Sequence, residues 1–378
     1  MLFAARREAY RPGMRYTDEL LEQLRYEADP LADRVVGAVL DDHGIEALNR
    51  SLRHLVHNRE PLPTDLPTPV LDYFARTSEL PAWADLERLR GAAATFARHA
   101  IAVSLILATD SLVECYAARK GVEVLRFSYR LAHNAYRRVA ETAQFMFDVL
   151  APAALEPDGD GRIAIQKVRL MHAAIRHLIV ETGRWPTKEL GLPICQEDML
   201  GTIESFSLIV IRDLPKLGIE LDATEADDWF YFWQVVSEMI GVRPDVAPRD
   251  LAEADELLSA IRRRHHGPSE SGVEMTRALL EMHDIAIPGH LDRGFAAAVT
   301  RHLAGPQIAD WLEVPRSHLD AMPEHEASLG VFLGLADRFG RALLEREAFT
   351  LAGYQRAAFD IPSELRSAWN LGEARLPA

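Results

Sequence analysis

The chain has 378 residues, 48% hydrophobic and 26% charged, and 57 acidic against 42 basic side chains give it a formal charge of −15. Nucleic-acid binding needs a basic face, so this balance disfavours it; the compact basic cluster is confined to residues 262–266. Two cysteines, Cys115 and Cys195, are too few for a disulfide scaffold or a cysteine-rich metal site, and they suit a reducing compartment.

Neither a secretion signal nor a membrane span is expected. The arginine pair Arg6 and Arg7 is followed by a charged, proline-containing stretch where a signal peptide would have an apolar segment. The longest apolar run covers residues 100–112. It is shorter than the roughly 18–20 residues that a membrane-spanning helix requires. We therefore expect a cytoplasmic protein with no membrane-spanning helix.

Helical periodicity dominates the sequence, and neither an alternating strand pattern nor an Asn-Gly hairpin is found. A helix is predicted to begin after Thr17, and others are predicted over residues 30–39, 44–58, 68–77, 83–118, 128–150, 163–182, 196–214, 224–240, 250–264, 270–283, 293–303, 307–312, 324–346 and 362–369. Thr224 and Asp250 are predicted N-caps. Because no repeat or flexible linker interrupts the series, we expect one all-α domain over residues 1–378.

The predicted helix over residues 163–182 is apolar nearly all round, which is typical of a buried helix. Yet Arg169, His172 and Arg176 fall within an arc of about 60° on its surface. Burying such a stripe is costly unless a polar partner meets it. Haem, an anionic cofactor with a central metal, would meet all three, with His172 as the axial iron ligand and both arginines on the propionates. The alternatives are a core histidine bonded to a carbonyl, and arginines in ordinary ion pairs.

The preceding predicted helix places Arg138, Glu141 and Thr142 on one face, at positions i, i+3 and i+4. If that face met a haem, Arg138 and Thr142 would donate hydrogen bonds to bound dioxygen. Glu141 would then act as an acid, a base or a weak sixth ligand. The alternative is a local surface ion pair between Arg138 and Glu141, which contributes little to stability.

Other patterns give weaker signals. His265 and His266 close a basic helix end and are expected to be solvated. None of the fourteen histidines has a glutamate three residues before it, which argues against a ferritin-like di-iron bundle. Gly-rich phosphate loops, serine-nucleophile elbows and zinc-protease motifs are not found either. The aromatic block over residues 229–233 is typical of a core, although it would also suit the wall of an apolar substrate site.

Three segments have a family likeness: Tyr136-Arg-Arg-Val-Ala-Glu-Thr142, Gln166-Lys-Val-Arg-Leu-Met-His172 and Pro193-Ile-Cys-Gln-Glu-Asp-Met199. They resemble the latex-clearing rubber oxygenases and the wider MpaB-type oxygenase family, over about residues 30–315. The resemblance implies an all-α, globin-like fold that binds haem b and uses dioxygen to cleave carbon–carbon double bonds in polyisoprene.

Carried over to this chain, the resemblance implies that His172 is the proximal iron ligand and that Arg138 and Thr142 lie in the distal pocket. Arg169 and Arg176 match the arginines that flank the ligand histidine.

Two positions refine that expectation. Glu141 stands where rubber oxygenases have a lysine, so their lysine-ligated closed state is not expected here. Glu123 is the nearest counterpart of an upstream distal glutamate. We therefore predict a haem b-dependent oxygenase that uses dioxygen on a small apolar molecule, alkene-like or isoprenoid-like. The alternatives are a haem-binding sensor or carrier without turnover, and a helical interaction protein without haem.

Overall fold

The structure, a computed structural model, describes residues 15–54, 66–127, 142–157, 159–286 and 294–316. Its helices are α1 (Asp18–Leu24), α2 (Pro30–His54), α3 (Thr68–Arg76), α4 (Leu86–Ile106), α5 (Leu112–Ala117), α6 (Val122–Phe127), α7 (142–150), α8 (Gly161–Glu181), α9 (Thr187–Leu190), α10 (Gln196–Phe206), α11 (Leu208–Asp213), α12 (Ala223–Met239), α13 (Leu251–His265), α14 (Glu270–Ala286) and α15 (Phe295–Trp311). No strand occurs in these residues, where Ala118 and His266 form an isolated antiparallel bridge. The predicted all-α class is confirmed.

Side-chain caps determine where several helices begin. Thr17 caps α1 by accepting a hydrogen bond from the Leu20 amide at 3.2 Å, and Asp250 caps α13, as predicted. The predicted cap at Thr224 is wrong. Asp222 starts α12 instead, because its carboxylate and that of Glu225 each accept the other's backbone amide at 2.9 Å. This reciprocal capping box satisfies two amides that would otherwise lack partners.

In two pairs of predicted helices, the two helical segments meet at a kink, where a glycine has non-helical backbone angles. The segments on either side of Gly44 form α2, and those on either side of Gly305 form α15. Both glycines have a positive φ, 74° and 82° respectively. Glycine adopts that conformation without steric cost, so the chain turns and then resumes its helix. Pro306, directly after the second kink, has no amide proton to donate to the preceding turn.

Two long predicted helices are interrupted. The one predicted over residues 83–118 begins at Leu86 and widens into a π-helical turn, Leu107–Ser111, before α5. The one predicted over residues 196–214 is divided at Ser207, whose φ of −93° and ψ of −85° lie outside the helical region. The predicted helices over 324–346 and 362–369, and residues 128–141 of another, lie outside the described residues.

Helix α8 lies between two hydrophobic clusters. Ala164 and Ile165 pack into one cluster with residues of α4, α10, α12 and α13. Leu170, Ala173 and Ala174 pack into a second cluster with residues of α2 and α3. Because both sides of the helix contact other helices, its sequence is apolar nearly all round, and its predicted burial is confirmed.

The stretch Leu86–Ala117 is long and apolar enough to cross a membrane, judged by length and composition among the described residues. It packs closely against α12 in the helical core. Of its most apolar 18-residue window, 56% is buried inside the fold. Core helices of soluble proteins pass the same test, so this single stretch is weak evidence for a membrane span.

Candidate functional site

A cavity of about 360 Å³ is lined by α8, α7, the π-helical turn with α5, and the helices α10, α12 and α13. Its walls are mostly apolar and include Phe145 of α7, Met171 of α8, Trp233 of α12 and Ile261 of α13. A volume of this size falls within the range of roughly 300–1,000 Å³ found for small-molecule sites. The cavity is therefore the candidate binding site for an apolar ligand.

His172 is the polar residue that α8 contributes to this cavity. The other residues of α8 that line it are Val168, Met171 and Ile175, which follow the same helical face. Ala173 and Ala174, beside the histidine, are fully buried and fix the backbone in the core. The helix thus presents one half-buried imidazole from a rigid and otherwise apolar wall.

The two arginines of the predicted stripe make ion pairs with α2 and the residue before it. Arg169 binds Asp29 through two hydrogen bonds of 2.5 and 2.9 Å. Arg176 donates to Asp33 at 2.9 Å and to the carbonyl of Ile194 at 2.7 Å. Neither arginine lines the cavity. Of the three predicted cofactor-binding residues, the structure brings His172 alone to the cavity, and a cofactor contact by the arginines stays a prediction.

Of the predicted distal residues, Thr142 lies in the cavity wall beside Phe145 of the same helix. Arg138 and Glu141 lie outside the described residues, so their predicted roles stay predictions. Glu123, the candidate upstream glutamate, accepts a hydrogen bond of 2.5 Å from the hydroxyl of Ser271 and is not among the residues that line the cavity.

The expectation that His265 and His266 are solvated is wrong. His265 is 4% exposed, the side chain of His266 is 5% exposed, and both line the cavity. The end of α13 is held inward because the amide of Arg119 donates to the His265 carbonyl at 3.0 Å. The sequence does contain a signal for this burial. His265 follows Leu258 by seven residues, which places both on the same helical face.

Each carboxylate in the cavity wall has a guanidinium partner. Glu114 accepts from Nε of Arg262 at 2.8 Å, and Glu197 accepts from Nε of Arg264 at 3.0 Å. Asp198 accepts from Arg25 at 2.5 Å, and Arg25 also lies 3.6 Å from Glu197. These pairs balance the charge of the polar part of the wall, so it presents no uncompensated ion to a ligand.

Cys115 also lines the cavity and is a free thiol. Burial raises its pKa to about 11, and the hydroxyl of Ser205 beside it does not offset that effect. The sulfur is therefore protonated at neutral pH, whereas metal binding and nucleophilic attack both need the thiolate. Of Cys115 and His172, the histidine is therefore the better suited metal ligand.

The fold and the cavity together define a helical protein with a mostly apolar cavity beside a histidine. Residues 102–337 match the model of the family described as ER-bound oxygenase mpaB/B'/rubber oxygenase, catalytic domain. Since this match spans more than half of the chain, the chain belongs to that family of oxygenases. The family resemblance of the sequence is confirmed.

Two individual proteins are similar to this chain. The rubber oxygenase of Streptomyces sp. (strain K30) is 27% identical over 297 residues, which cover 76% of this chain and 70% of the relative. The solved structure of latex clearing protein LCP in the closed state matches with a TM-score of 0.70 and 23% identity, over 94% of both chains. The structural match shows a shared fold.

Proposed function

We propose that the chain is a haem b-dependent oxygenase that uses dioxygen on an apolar small molecule, with His172 as the residue that would bind the haem iron. One observation supports this most directly: in a chain of an oxygenase family, α8 presents a single imidazole to a mostly apolar cavity. A neutral imidazole on a rigid helix is a normal haem ligand. Apolar walls suit a flat, largely apolar ring.

The chemistry divides between cofactor and protein. When bound, haem supplies the capacity to bind and activate dioxygen. The chain's own residues would hold the cofactor through His172 and exclude water with apolar walls. Thr142 places a hydroxyl in the cavity wall that can donate a hydrogen bond. In this proposal Arg138 is a second donor and Glu141 carries protons.

The ligand assignment is tested by replacing His172 with alanine. We expect the His172→Ala protein to lose most of its haem, measured per folded chain by the pyridine haemochrome assay. His177→Ala is a matched control, because His177 is on the same helix but lies against Gly37 of α2 instead of the cavity. Full haem in His172→Ala, at unchanged helix content, would show that the assignment is wrong.

Turnover is a separate question from haem binding. Oxygen uptake and product formation, measured with an isoprenoid alkene under air, distinguish an oxygenase from a sensor or carrier. We expect uptake that depends on the alkene. We also expect Glu141→Gln to retain haem while its turnover changes, since the glutamate is proposed to carry protons and not to hold the cofactor. Haem with no uptake for any alkene would favour the sensor.

A further inference from the structure

The polar part of the cavity wall contains a feature that iron ligation by His172 does not use. His265 and His266 project from the end of α13 into the same cavity, and both side chains are about nineteen-twentieths buried. Two adjacent imidazoles in an apolar cavity are costly to desolvate unless their nitrogen atoms find hydrogen-bond partners.

The described part of the chain leaves three of the four ring nitrogen atoms without a hydrogen-bond partner. Both ring nitrogens of His265, and Nδ1 of His266, are buried without a hydrogen bond to any described residue. Nε2 of His265 lies 2.9 Å from an oxygen of Glu197 but out of line for a hydrogen bond. Nδ1 of His266 lies 4.0 Å from Glu114, which is beyond hydrogen-bond range.

The surrounding charges indicate what kind of group would fit. The nearby carboxylates of Glu114 and Glu197 are already paired with Arg262 and Arg264. Burial lowers the pKa of His266 to about 4, so this imidazole is neutral at physiological pH. A neutral imidazole both donates and accepts a hydrogen bond. A hydroxyl or carbonyl matches it, whereas an anion would meet no free positive charge.

We propose that His265 and His266 form a subsite for the uncharged polar end, a hydroxyl or a carbonyl, of an otherwise apolar substrate chain. This inference rests on the proposed function, since it concerns the substrate of the same cavity. It narrows the substrate class from any apolar molecule to an amphipathic one, such as an isoprenoid-like alcohol or aldehyde. A pure hydrocarbon would leave the imidazoles without partners, and a carboxylate would lack a counter-ion.

The test compares two ligands that differ at one end. Binding of a tritium-labelled C15 isoprenoid alcohol, and of the hydrocarbon with the same skeleton, is measured by equilibrium dialysis under argon. With the purified wild-type protein, the alcohol should bind about tenfold more tightly, which is the order expected for one or two hydrogen bonds that replace unsatisfied groups. The C15 carboxylic acid should bind more weakly than the alcohol.

Variants then assign the preference to the imidazoles. In the double variant His265→Leu with His266→Phe, the alcohol should lose its advantage while the hydrocarbon binds at least as well as before. His265→Gln with His266→Asn keeps hydrogen-bonding groups and should retain part of the preference. Circular dichroism checks that each variant folds; if the first does not, the wild-type ligand pair and the second variant still decide the question.

An alcohol-to-hydrocarbon ratio near one in the wild type, or an unchanged ratio in a folded Leu/Phe variant, would overturn the proposal. Haem content is measured separately in the same preparations. A wild-type protein that takes up no added hemin and still prefers the alcohol through these histidines would contradict the proposed oxygenase and leave the subsite standing.

Discussion

Arg169 and Asp29 form a pair at the junction between α8 and the start of α2. The aspartate side chain is 4% exposed and the arginine side chain 14%, and two hydrogen bonds join them. Removing one partner of such a pair leaves a buried charge, which costs far more than the net contribution of the intact pair. This pair therefore matters to folding whether or not the arginine also contacts a cofactor.

For Arg169→Leu we expect a loss of about 3–5 kcal/mol in the free energy of unfolding, because Asp29 keeps its charge without a partner. Urea denaturation measures the loss. The double variant Arg169→Gln with Asp29→Asn should recover part of it, since no charge is then left unpaired. Haem per folded chain is measured in both variants, because a purely structural role for the ion pair predicts that haem persists. Selective loss of haem from a stable Arg169→Leu protein would instead support a direct cofactor contact.

Glu204 of α10 is fully buried, and burial raises the pKa of its carboxyl to about 8. The folded state therefore holds a proton that the unfolded chain releases above its ordinary pKa of 4.5. Its contribution to stability is fully present below pH 4.5 and is lost as the pH rises towards 8.

Glu204→Gln should remove that loss. We expect the variant to match the wild type within about 1 kcal/mol at pH 5 and to be more stable at pH 8 by roughly 2–4 kcal/mol. Urea denaturation at the two pH values measures the difference. Glu220→Gln, at an exposed position, is the control and should leave the pH profile unchanged. An equal difference between Glu204→Gln and wild type at both pH values would contradict the account.

The environment of a single residue could be predicted from the sequence where it depends on neighbours in the same helix. The apolar face of α8 was predictable because neighbours on one helix follow its period, and the structure confirms that the helix is buried. The sequence predicted that Arg169 and Arg176 could form ion pairs, but it did not show which acidic residues would be their partners. Asp29 and Asp33 lie about 140 residues earlier, and only the packing of α2 on α8 brings them within reach.

At the scale of elements, the turn after α12 packs against the Asp29–Arg169 ion pair at a glycine, Gly241. Gly241 has φ +103°, and a Cβ added there would lie 2.4 Å from Oδ2 of Asp29 and 3.0 Å from Nε of Arg169. Both the backbone conformation and the close approach of this ion pair require glycine. The turn after α12 and the junction of α2 with α8 therefore depend on one position.

Gly218, which also has a positive φ of +77°, provides the comparison, because a Cβ added there meets nothing within 4 Å. Gly218→Ala should cost only backbone strain, about 1 kcal/mol. Gly241→Ala should cost at least about 1–2 kcal/mol more, because it also displaces the Asp29–Arg169 pair. Thermal or urea unfolding of the two variants measures this difference. Equal losses would show that the pair moves aside without cost.

The sequence predicted well which segments are helical, but it did not predict the breaks and the π-helical turn within them. Hydrophobic periodicity indicates which residues face the core. It does not indicate where one turn of a helix contains an extra residue, as in a π-helical turn, or where the helix breaks locally. The π-helical turn Leu107–Ser111 lies within a stretch whose sequence predicts one continuous helix, yet it supplies Leu107, Ala108 and Ser111 to the cavity wall. Such turns often occur at functional sites, and they depend on tertiary packing.

At the scale of the whole molecule, the cavity forms where helices distant in the sequence meet. Its walls combine residues from the stretch around Ser111, from α8 and from α13. The sequence indicated His172 through its unusual setting on an apolar helix. It did not indicate that His265 shares the same cavity, because nothing local relates α13 to α8. The family resemblance supplied the fold and the oxygenase class, which residue patterns alone left open.

The central claim is that the cavity beside His172 binds haem b. An absorption spectrum of the purified protein, before and after dithionite, tests it most directly when combined with iron analysis and the pyridine haemochrome assay. We predict a Soret band that shifts on reduction, with b-type haem approaching one per chain. A colourless, iron-free protein that also takes up no added hemin would contradict the claim, and the family relationship would then support the fold without this cofactor.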